Sequence, residues 1–281
     1  MESFFQSCLA FKRKDGSLCG WSSQKSPILN SQDKGWLYRY SGKEQELKIH
    51  SGIYWDQGRR KNNQDSLAFL QVVTNRGRAS LAVVSDGIGG LQEGETASGY
   101  ITERLIEIFY RELVPLVGRG KGRKALTRSL LRCMCGIGRD LNRYAAEREI
   151  ALGATVSLIF LWKRNYLILH LGDSRIYLCK DRKQRLLTTD HSDGRNGLTA
   201  CLGSFPFRRP DMQWGRIWGK GGFLLCTDGF YRKMDQELLT LLTPSQVGSE
   251  EQIEKRLRAI AEASLKKGER DNLSAVYVMV R

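Results

Sequence analysis

The spacing of apolar residues along this chain predicts groups of short strands on either side of two helices. Apolar runs mark strands at 47–54, 66–73 and 80–84. Apolar positions three and four residues apart then run through 95–114 and again through 126–144, which is typical of amphipathic helices. Pro115 is expected to close the first of these helices.

The second half of the chain returns to strand patterns. Strands are predicted at 155–161, 166–171, 176–180, 185–188, 223–226 and 273–280, with helical stretches near 236–242 and 251–266. Because strand runs flank a helix pair, we expect an α+β layered sandwich in which helices cover sheets. We expect residues 47–281 to form one domain. Residues 1–46 lack a sustained period and are expected to be an N-terminal extension of unknown role, with strand-like pieces at 4–11 and 36–40.

Composition adds a preference for acidic partners. The 281 residues are 41% hydrophobic and 27% charged, as expected of a globular protein, and their net charge is +15. Such a charge favours phosphorylated proteins, nucleic acid or an anionic membrane surface. The basic residues lie in short scattered groups without interleaved aromatics, so a solvated basic surface is favoured over a nucleic-acid site.

Cysteine usage and the lack of long apolar segments favour a soluble, cytoplasmic protein. The seven cysteines are an odd number with no spacing framework, which fits reduced thiols. Cys133 and Cys135 stand two apart in a helical stretch with no second pair, which argues against a zinc site. The N-terminus lacks the order of a signal peptide, and no stretch has the length of a membrane span.

Five aspartates stand where predicted strands begin or end. Asp65 lies in RRKNNQDSLAF, Asp86 in VVSDGIGG, Asp173 in LHLGDSRIY, Asp228 in LLCTDGF and Asp271 in GERDNLSAVYV. Any one of them alone is explained by a turn. Five together favour a converging set, and clustered carboxylates repel one another unless a cation neutralises them.

Hard divalent ions such as Mg²⁺ and Mn²⁺ suit an all-carboxylate set. Two such ions about 3.5–4 Å apart can share a water molecule and direct it at phosphorus. The chain has only three histidines, so a zinc hydrolase is poorly supported. Neither a G-x-x-x-x-G-K-S/T loop nor a dinucleotide fingerprint occurs in the sequence.

Eight segments in order resemble the successive motifs of the metal-dependent serine/threonine protein phosphatases of the 2C type, in their compact bacterial form. They are RRKNNQD, SDGIGG, GATVSL, GDSRIY, TTDHS, LTACLGS, LLCTDGF and RDNLSAVYV, and the resemblance covers about residues 47–281. It implies a four-layer α/β/β/α sandwich of two mainly antiparallel sheets. It also implies hydrolysis of phosphoserine and phosphothreonine in proteins by a hydroxide that bridges two Mn²⁺ or Mg²⁺ ions.

The resemblance also assigns metal ligands by position. Asp86 would bridge the two ions, and the Gly87 carbonyl would bind one of them. Asp228 and Asp271 would complete the ligands of the other ion. Asp173 matches the position of a third, weaker metal that is partly shared with Asp228.

The remaining implied roles belong to catalysis and to local structure. Arg60 falls where the family places its phosphate-binding arginine, and Asp65 would hold metal-bound water in or near the first shell of ligands. Thr155 and Ser174 are interpreted as strand and turn hydroxyls near the site. In the TTDHS segment, Asp190 and His191 are expected to lock a turn through side-chain hydrogen bonds.

The chain departs from the family pattern at three places. Gln64 stands where some members carry Glu, which would loosen the second metal, and Ile88 stands where animal relatives carry a His, so the general acid is unassigned. Between TTDHS and LTACLGS, only DGRNG spans the place of the usual helical flap. A shortened flap predicts an open site with broad peptide acceptance, or selection by another surface such as residues 1–46.

Two other functional hypotheses remain open from the sequence. The first is a catalytically weak or inactive phosphatase-like regulator that binds a metal or a partner. The second, a nucleic-acid binder, depends on net charge alone. The family suggests pairing with a bacterial-type serine/threonine kinase and its substrates.

Overall fold

The structure is a computed structural model that describes residues 11–12, 18–19, 47–88, 93–181, 183–193, 197–203 and 206–281. Of the strand-like pieces expected at 4–11 and 36–40, only Phe11 falls within the described residues. It belongs to a two-residue strand, Phe11–Lys12, which pairs antiparallel with Leu18–Cys19.

Ten strands of four or more residues build the described domain. In chain order they are β1 (Ile49–Asp56), β2 (Asp65–Thr74), β3 (Gly77–Asp86), β4 (Val156–Trp162), β5 (Asn165–Leu171), β6 (Arg175–Lys180), β7 (Lys183–Leu186), β8 (Asp211–Arg216), β9 (Gly221–Cys226) and β10 (Leu273–Val280). One five-stranded sheet has the order β8-β5-β4-β3-β2, and the other has the order β7-β6-β9-β10-β1. Every neighbouring pair in both sheets is antiparallel.

The helices lie on the outer faces of the two sheets. They are α1 (Gly94–Ile108), α2 (Val114–Gly118), α3 (Arg123–Arg148), α4 (Asp228–Tyr231) and α5 (Glu250–Lys266), with a 3-10 helix at Gln236–Leu242. The helices α1 and α3 cover the first sheet, and α5 covers the second, where Ile253 packs against β1. Ser249 caps α5 by accepting a hydrogen bond from the backbone N–H of Gln252.

Three separate apolar layers confirm the predicted four-layer α/β/β/α sandwich. One fills the space between the first sheet and its helices, one lies between the two sheets, and one lies between the second sheet and α5. Fully buried members of the three layers include, respectively, Leu81 and Leu130, Val84 and Val276, and Tyr277 and Leu257. The central strands of each sheet are therefore buried on both faces, which explains their nearly continuous apolar sequence.

The first predicted helix closes near Pro115, but it is not a single α-helix. A π-helical turn, Phe109–Leu113, follows α1, and the chain continues without a break into α2. Pro115 is the second residue of α2, directly after the π-helical turn, and the helix ends three residues later at Gly118. Buried Phe109 and Leu113 hold the turn against the first sheet.

The strand β8 is absent from the sequence predictions. It is the edge strand of the first sheet, and its burial pattern alternates between exposed and intermediate positions. An edge strand with no fully buried position has no apolar run to detect, so periodicity alone misses it.

Candidate metal centre

A single hairpin brings two of the five aspartates together. Asp65 is the first residue of β2 and Asp86 is the last residue of β3, and the two are directly opposite each other in the register. Opposed residues on neighbouring antiparallel strands have Cβ atoms about 4.5–5.5 Å apart. The short turn between Thr74 and Gly77 fixes this register, since the Thr74 hydroxyl donates to the Gly77 carbonyl.

The carboxyl group of Asp65 has one satisfied and one unsatisfied oxygen. Its Oδ2 accepts a hydrogen bond of 2.9 Å from the hydroxyl of Thr227, which directly follows strand β9 of the second sheet. Its Oδ1 is buried and has no hydrogen-bond partner among the described residues. Desolvation raises the pKa of Asp65, because a buried charge lacks the stabilisation of water. An unpartnered buried carboxylate oxygen is costly, and a cation would satisfy it.

The Asp86 carboxyl lies at the centre of the acidic cluster. Its pKa is raised well above the usual range, first by desolvation and then by the charges of Asp65, Asp173 and Asp271. This places four of the five predicted carboxylates within electrostatic reach of one another. The Asp86 backbone N–H donates to the Thr155 hydroxyl over 3.0 Å, so the end of β3 is fixed in place.

Gly87 lies in a position with no room for a side chain. A Cβ atom at this position would lie 2.5 Å from the carbonyl oxygen of Gly94 and 2.8 Å from that of Gln64. Its N–H donates to the Gln64 carbonyl over 3.1 Å. Close packing of the chain against the start of α1 therefore requires glycine here, in addition to any role of its carbonyl group.

Asp228 and Asp271 come from the second sheet, where each is paired with an arginine. Asp228 begins α4 directly after β9, and Asp271 precedes the neighbouring strand β10. Arg60 donates to both carboxylate oxygens of Asp271, over 2.9 Å from Nε and 2.8 Å from Nη2. Arg232 is ion-paired with Asp228, and its Nη1 lies 3.6 Å from Oδ2 of Asp271. Two guanidinium groups thus meet two of the predicted metal ligands.

The loop that carries Arg60 is held by Asn272. The Asn272 side-chain amide donates to the carbonyls of Gln57 and Asn62, and its oxygen accepts from the N–H of Gln64. The Arg60 side chain itself is 52% exposed, so its guanidinium group is accessible from solvent. Burial alone would raise the pKa of Asp271, but the hydrogen bonds and charge of Arg60 outweigh it and lower that pKa.

Asp173 lies at the margin of the cluster. Desolvation raises the pKa of its carboxyl group, and the charge of Asp190 adds to this effect. Its backbone carbonyl accepts a hydrogen bond of 3.0 Å from the hydroxyl of Tyr231 in α4. The guanidinium group of Arg175 stacks 3.9 Å above the ring of Tyr231 and is bonded to Asp190. These contacts tie the Asp173 turn to α4, which also begins with Asp228.

The histidines near the site have structural partners. His191 is buried, with Nδ1 accepting from the Gly172 N–H over 3.1 Å and Nε2 lying 3.2 Å from an oxygen of Asp211. His170 is stacked on His191 and lies 2.8 Å from the Ser157 hydroxyl through Nδ1. Desolvation and the neighbouring His191 lower the pKa of His170 to about 4. These contacts agree with the interpretation of His191 as a turn-locking residue.

The donor set fits a hard divalent ion, although the side chains as they stand do not form a complete ligand shell. Among the residues that the structure describes, no three His, Cys, Asp or Glu side chains are arranged to hold an ion. Two of the five aspartates, Asp228 and Asp271, are engaged by arginine instead. The donors in this cluster are carboxylate and carbonyl oxygens, the type that Mg²⁺ and Mn²⁺ prefer, and the buried Asp65 Oδ1 has no hydrogen-bond partner among the described residues.

Sequence reasoning missed three residues that shape this centre. Arg232, Asn272 and Thr227 each contact a predicted site residue or its loop. A signal existed for Arg232, which stands four residues after Asp228 at a helix start, the spacing of a surface ion pair. Asn272 and Thr227 stand next to Asp271 and Asp228 in the sequence, and no sequence pattern singles out either of them.

Comparisons with known proteins identify relatives of this chain by sequence and by fold. Residues 57–275 match the family model described as protein phosphatase 2C. A Listeria welshimeri protein described as serine/threonine phosphatase stp is 28% identical over 147 residues, which cover 51% of this chain and 55% of the relative. The chain thus spans about half the length of the curated relatives that it matches first.

Solved structures show the same fold. A bacterial serine phosphatase crystal structure aligns with a TM-score of 0.72 at 23% identity, covering 83% of this chain and 98% of the other. The catalytic domain of the phosphatase PstP, described in complex with 2 manganese ions, aligns with a TM-score of 0.67 at 23% identity and covers 83% and 99% of the two chains. Within the described residues, no helix is long and apolar enough to cross a membrane.

Proposed function

The chain belongs to the protein phosphatase 2C family. We propose that it uses divalent metal ions to hydrolyse phosphoserine and phosphothreonine in proteins. One feature of the acidic cluster supports this proposal most directly. The opposed carboxyls of Asp65 and Asp86 leave one buried oxygen without a partner, at the edge where Asp228 and Asp271 arrive from the second sheet. Such a cluster destabilises a protein unless cations bind it.

We propose that two ions, Mn²⁺ or Mg²⁺, are held by the aspartates of both sheets. Asp86 and the Gly87 carbonyl would serve the first ion, and Asp228 and Asp271 would complete the second. Asp65 would hold and orient water beside them, and Asp173 would contribute to a third, weaker site shared with Asp228. When bound, the ions supply an activated water for attack on phosphorus and offset the charge of the phosphoryl group.

Arg60 is proposed to bind the phosphoryl group of the substrate. Its planar fork is engaged by Asp271 in the structure, and it reaches solvent with half of its side chain. When a cation engages Asp271, the same fork is free to bind two phosphoryl oxygens. Charge-assisted bonds to those oxygens stabilise the transition state.

The side of the site next to the missing flap is proposed to be open. Two hydrogen bonds join Asp193 to Gly197: the Asp193 N–H donates to the Gly197 carbonyl, and the Gly197 N–H donates to the Asp193 carboxylate. Ser192 and Leu198 form a β-bridge on either side. Peptides would therefore meet little local surface here, and selection among substrates would depend on a region outside the centre.

The cellular setting is proposed from chemistry and family. The five cysteines between residues 47 and 281 are free thiols, which fits the reducing cytoplasm. Phosphoproteins modified by a bacterial-type serine/threonine kinase are the proposed substrates.

The test is metal-dependent turnover with matched variants. Purified protein is given p-nitrophenyl phosphate and a phosphothreonine peptide, with Mn²⁺ or with EDTA. Turnover should require Mn²⁺ and should be lost in Asp86→Asn and Asp228→Asn. Asp140→Asn, which alters a carboxylate bonded to Tyr100 between the outer helices, should retain it. Tight Mn²⁺ binding without turnover would overturn the proposal in favour of a metal-binding regulator.

A further inference from the structure

The outer face of α3 carries a basic groove against the edge strand β8. It has a volume of about 700 Å³. We call it the α3 groove and define it by Arg123, Arg128, Leu131, Cys135, Arg139 and Trp214. Lys124, Thr127 and Arg132 also line it, so that its nine described lining residues include five cations and no acidic side chain. None of these residues belongs to the proposed metal centre.

The floor of the α3 groove is apolar and fixed. The Trp214 indole N–H donates to the Thr127 hydroxyl over 3.0 Å, which sets the plane of the ring. The Arg123 guanidinium group lies 5.2 Å from the centre of that ring and donates to the Asn165 side chain over 2.8 Å. A surface whose side chains are already held loses little conformational entropy when a ligand binds.

The rim of the groove retains free positive charge. Arg128, Arg139 and Lys124 line it, and no ion pair joins any of them to an acidic side chain in the described part of the chain. Arg132 is the exception, because it lies 3.3 Å from Glu112 across an exposed pair. Unpaired cations around an apolar floor complement a ligand that alternates carboxylates with apolar side chains.

The groove runs towards the edge that holds the aspartates. The 16 residue steps from Arg123 to Arg139 correspond to about 24 Å of helix, the length of about seven extended peptide residues. Beside Arg139, a Cβ at Gly138 would lie 3.2 Å from the ring of Phe207, which is exposed. The same Cβ would lie 3.7 Å from the side chain of Leu202.

A short chain of backbone pairings links this end of the groove to the metal centre. Leu202 pairs with Ala154, and Ala154 forms a β-bridge with Gly87. A peptide lying in the groove is thus directed towards the sheet edge that carries Asp86.

We propose that the α3 groove docks an acidic segment of the phosphoprotein substrate at a distance from its phosphorylated residue. This inference rests on the proposed phosphatase function and supplies the substrate selection that the open metal centre lacks. Residues 1–46 are a poor occupant because they carry more basic than acidic side chains. Single-stranded nucleic acid is disfavoured because Trp214 is the sole aromatic residue of the described lining, whereas such ligands stack on a series of rings.

The test compares phosphothreonine peptides that differ in a distant tract. One series carries four glutamates and a matched series carries four glutamines, with spacers of several lengths before the phosphothreonine. The wild-type protein should show a KM about tenfold lower for the acidic series at one or more spacer lengths, with little change in kcat. The difference should shrink at high salt, because exposed charge pairs are screened.

A charge-reversal variant locates the effect. Arg128→Glu combined with Arg139→Glu should remove the preference for the acidic series. The matched control, Lys255→Glu with Arg258→Glu on α5 across the sandwich, should retain it. Turnover of p-nitrophenyl phosphate should stay unchanged in both double variants, which shows that they fold and that the metal centre is intact.

Three results would overturn the inference while leaving the proposed phosphatase function standing. The first is wild-type protein that hydrolyses p-nitrophenyl phosphate but treats both peptide series alike. The second is equal loss of preference in the α5 control. The third is groove-dependent binding of an oligonucleotide or of phosphatidylserine vesicles without any peptide preference, which would assign the groove to nucleic acid or membrane. Loss of all turnover with p-nitrophenyl phosphate would instead contradict the proposed function.

Discussion

Arg232 stands among the carboxylates proposed to bind metal, so its removal should tighten metal binding. It is ion-paired with Asp228, and its Nη1 lies 3.6 Å from Asp271 and 3.9 Å from Glu269. A divalent ion that takes up Asp228 and Asp271 must displace this guanidinium group. The perturbation is Arg232→Ala, which removes the competing cation and leaves every proposed ligand in place.

The size of the effect follows from the exposure of the pairs. The Arg232 side chain is 46% exposed, so solvent screens its pairs. Exposed ion pairs contribute about 0.2–1 kcal/mol each, and two weak pairs together give about 1 kcal/mol. Because this energy opposes metal binding, the Kd for Mn²⁺ should fall about fivefold in the variant.

Isothermal titration of metal-free protein with Mn²⁺ measures this effect without any need for turnover. The matched control is Arg104→Ala, since Arg104 is 43% exposed and is paired with Glu107 on the surface of α1. The control should bind Mn²⁺ as the wild type does. Metal binding in Arg232→Ala that is unchanged or weaker than wild type would refute the competition between arginine and metal.

Three further predictions concern stability, at Gly87, Gly136 and Asp86. Gly87→Ala should destabilise the fold by about 1–3 kcal/mol, because its Cβ would lie 2.5 Å from the Gly94 carbonyl oxygen. Gly136 lies in the middle of α3, and a Cβ atom there would meet no other atom within 4 Å, so Gly136→Ala should instead stabilise the fold by about 0.5–1 kcal/mol. Urea unfolding measures both variants, and a Gly87→Ala variant more stable than Gly136→Ala would contradict this packing. Asp86→Asn should stabilise the metal-free protein at pH 7.5, because desolvation and the neighbouring carboxylates raise the pKa of Asp86 and so disfavour its charged form in the folded chain. Asp65 and Asp86 bind protons more readily in the folded chain than in the unfolded chain. The stability gained from Asp86→Asn should therefore shrink as the pH falls from 7.5 to 5. A stability gain that grows on acidification would show that the pKa shift has the opposite sign.

The layered fold was predictable because buried strands and amphipathic helices leave periodic patterns. The central strands β3, β4 and β10 are apolar runs in the sequence, and the apolar stripe of α3 is regular from Leu126 to Tyr144. The edge strand β8 left no such pattern, since water covers half of its side chains. The π-helical turn before Pro115 was missed because apolar periodicity does not distinguish it from an α-helical turn.

The candidate site was predictable only as a set of residue types at strand ends. The chain order of the aspartates says nothing about which sheet each one joins, and Thr227 meets Asp65 across 162 positions of sequence. Arg60 was selected by its place in a motif, whereas its bond to Asp271 joins residues 211 positions apart. Arg232 and Trp214 depend on contacts of this kind, which arise only when the two sheets and their helices pack.

The thickness of the layer between the two sheets sets the span of the metal centre. Asp65 and Asp86 are fixed to one sheet and Asp228 and Asp271 to the other, while Ile159, Val276 and their neighbours fill the interval between the sheets. A side chain there that is too large or too small would alter the distance between the two pairs of aspartates. We therefore expect cation affinity at the proposed centre to depend on the packing of an apolar layer that contains none of the proposed ligands.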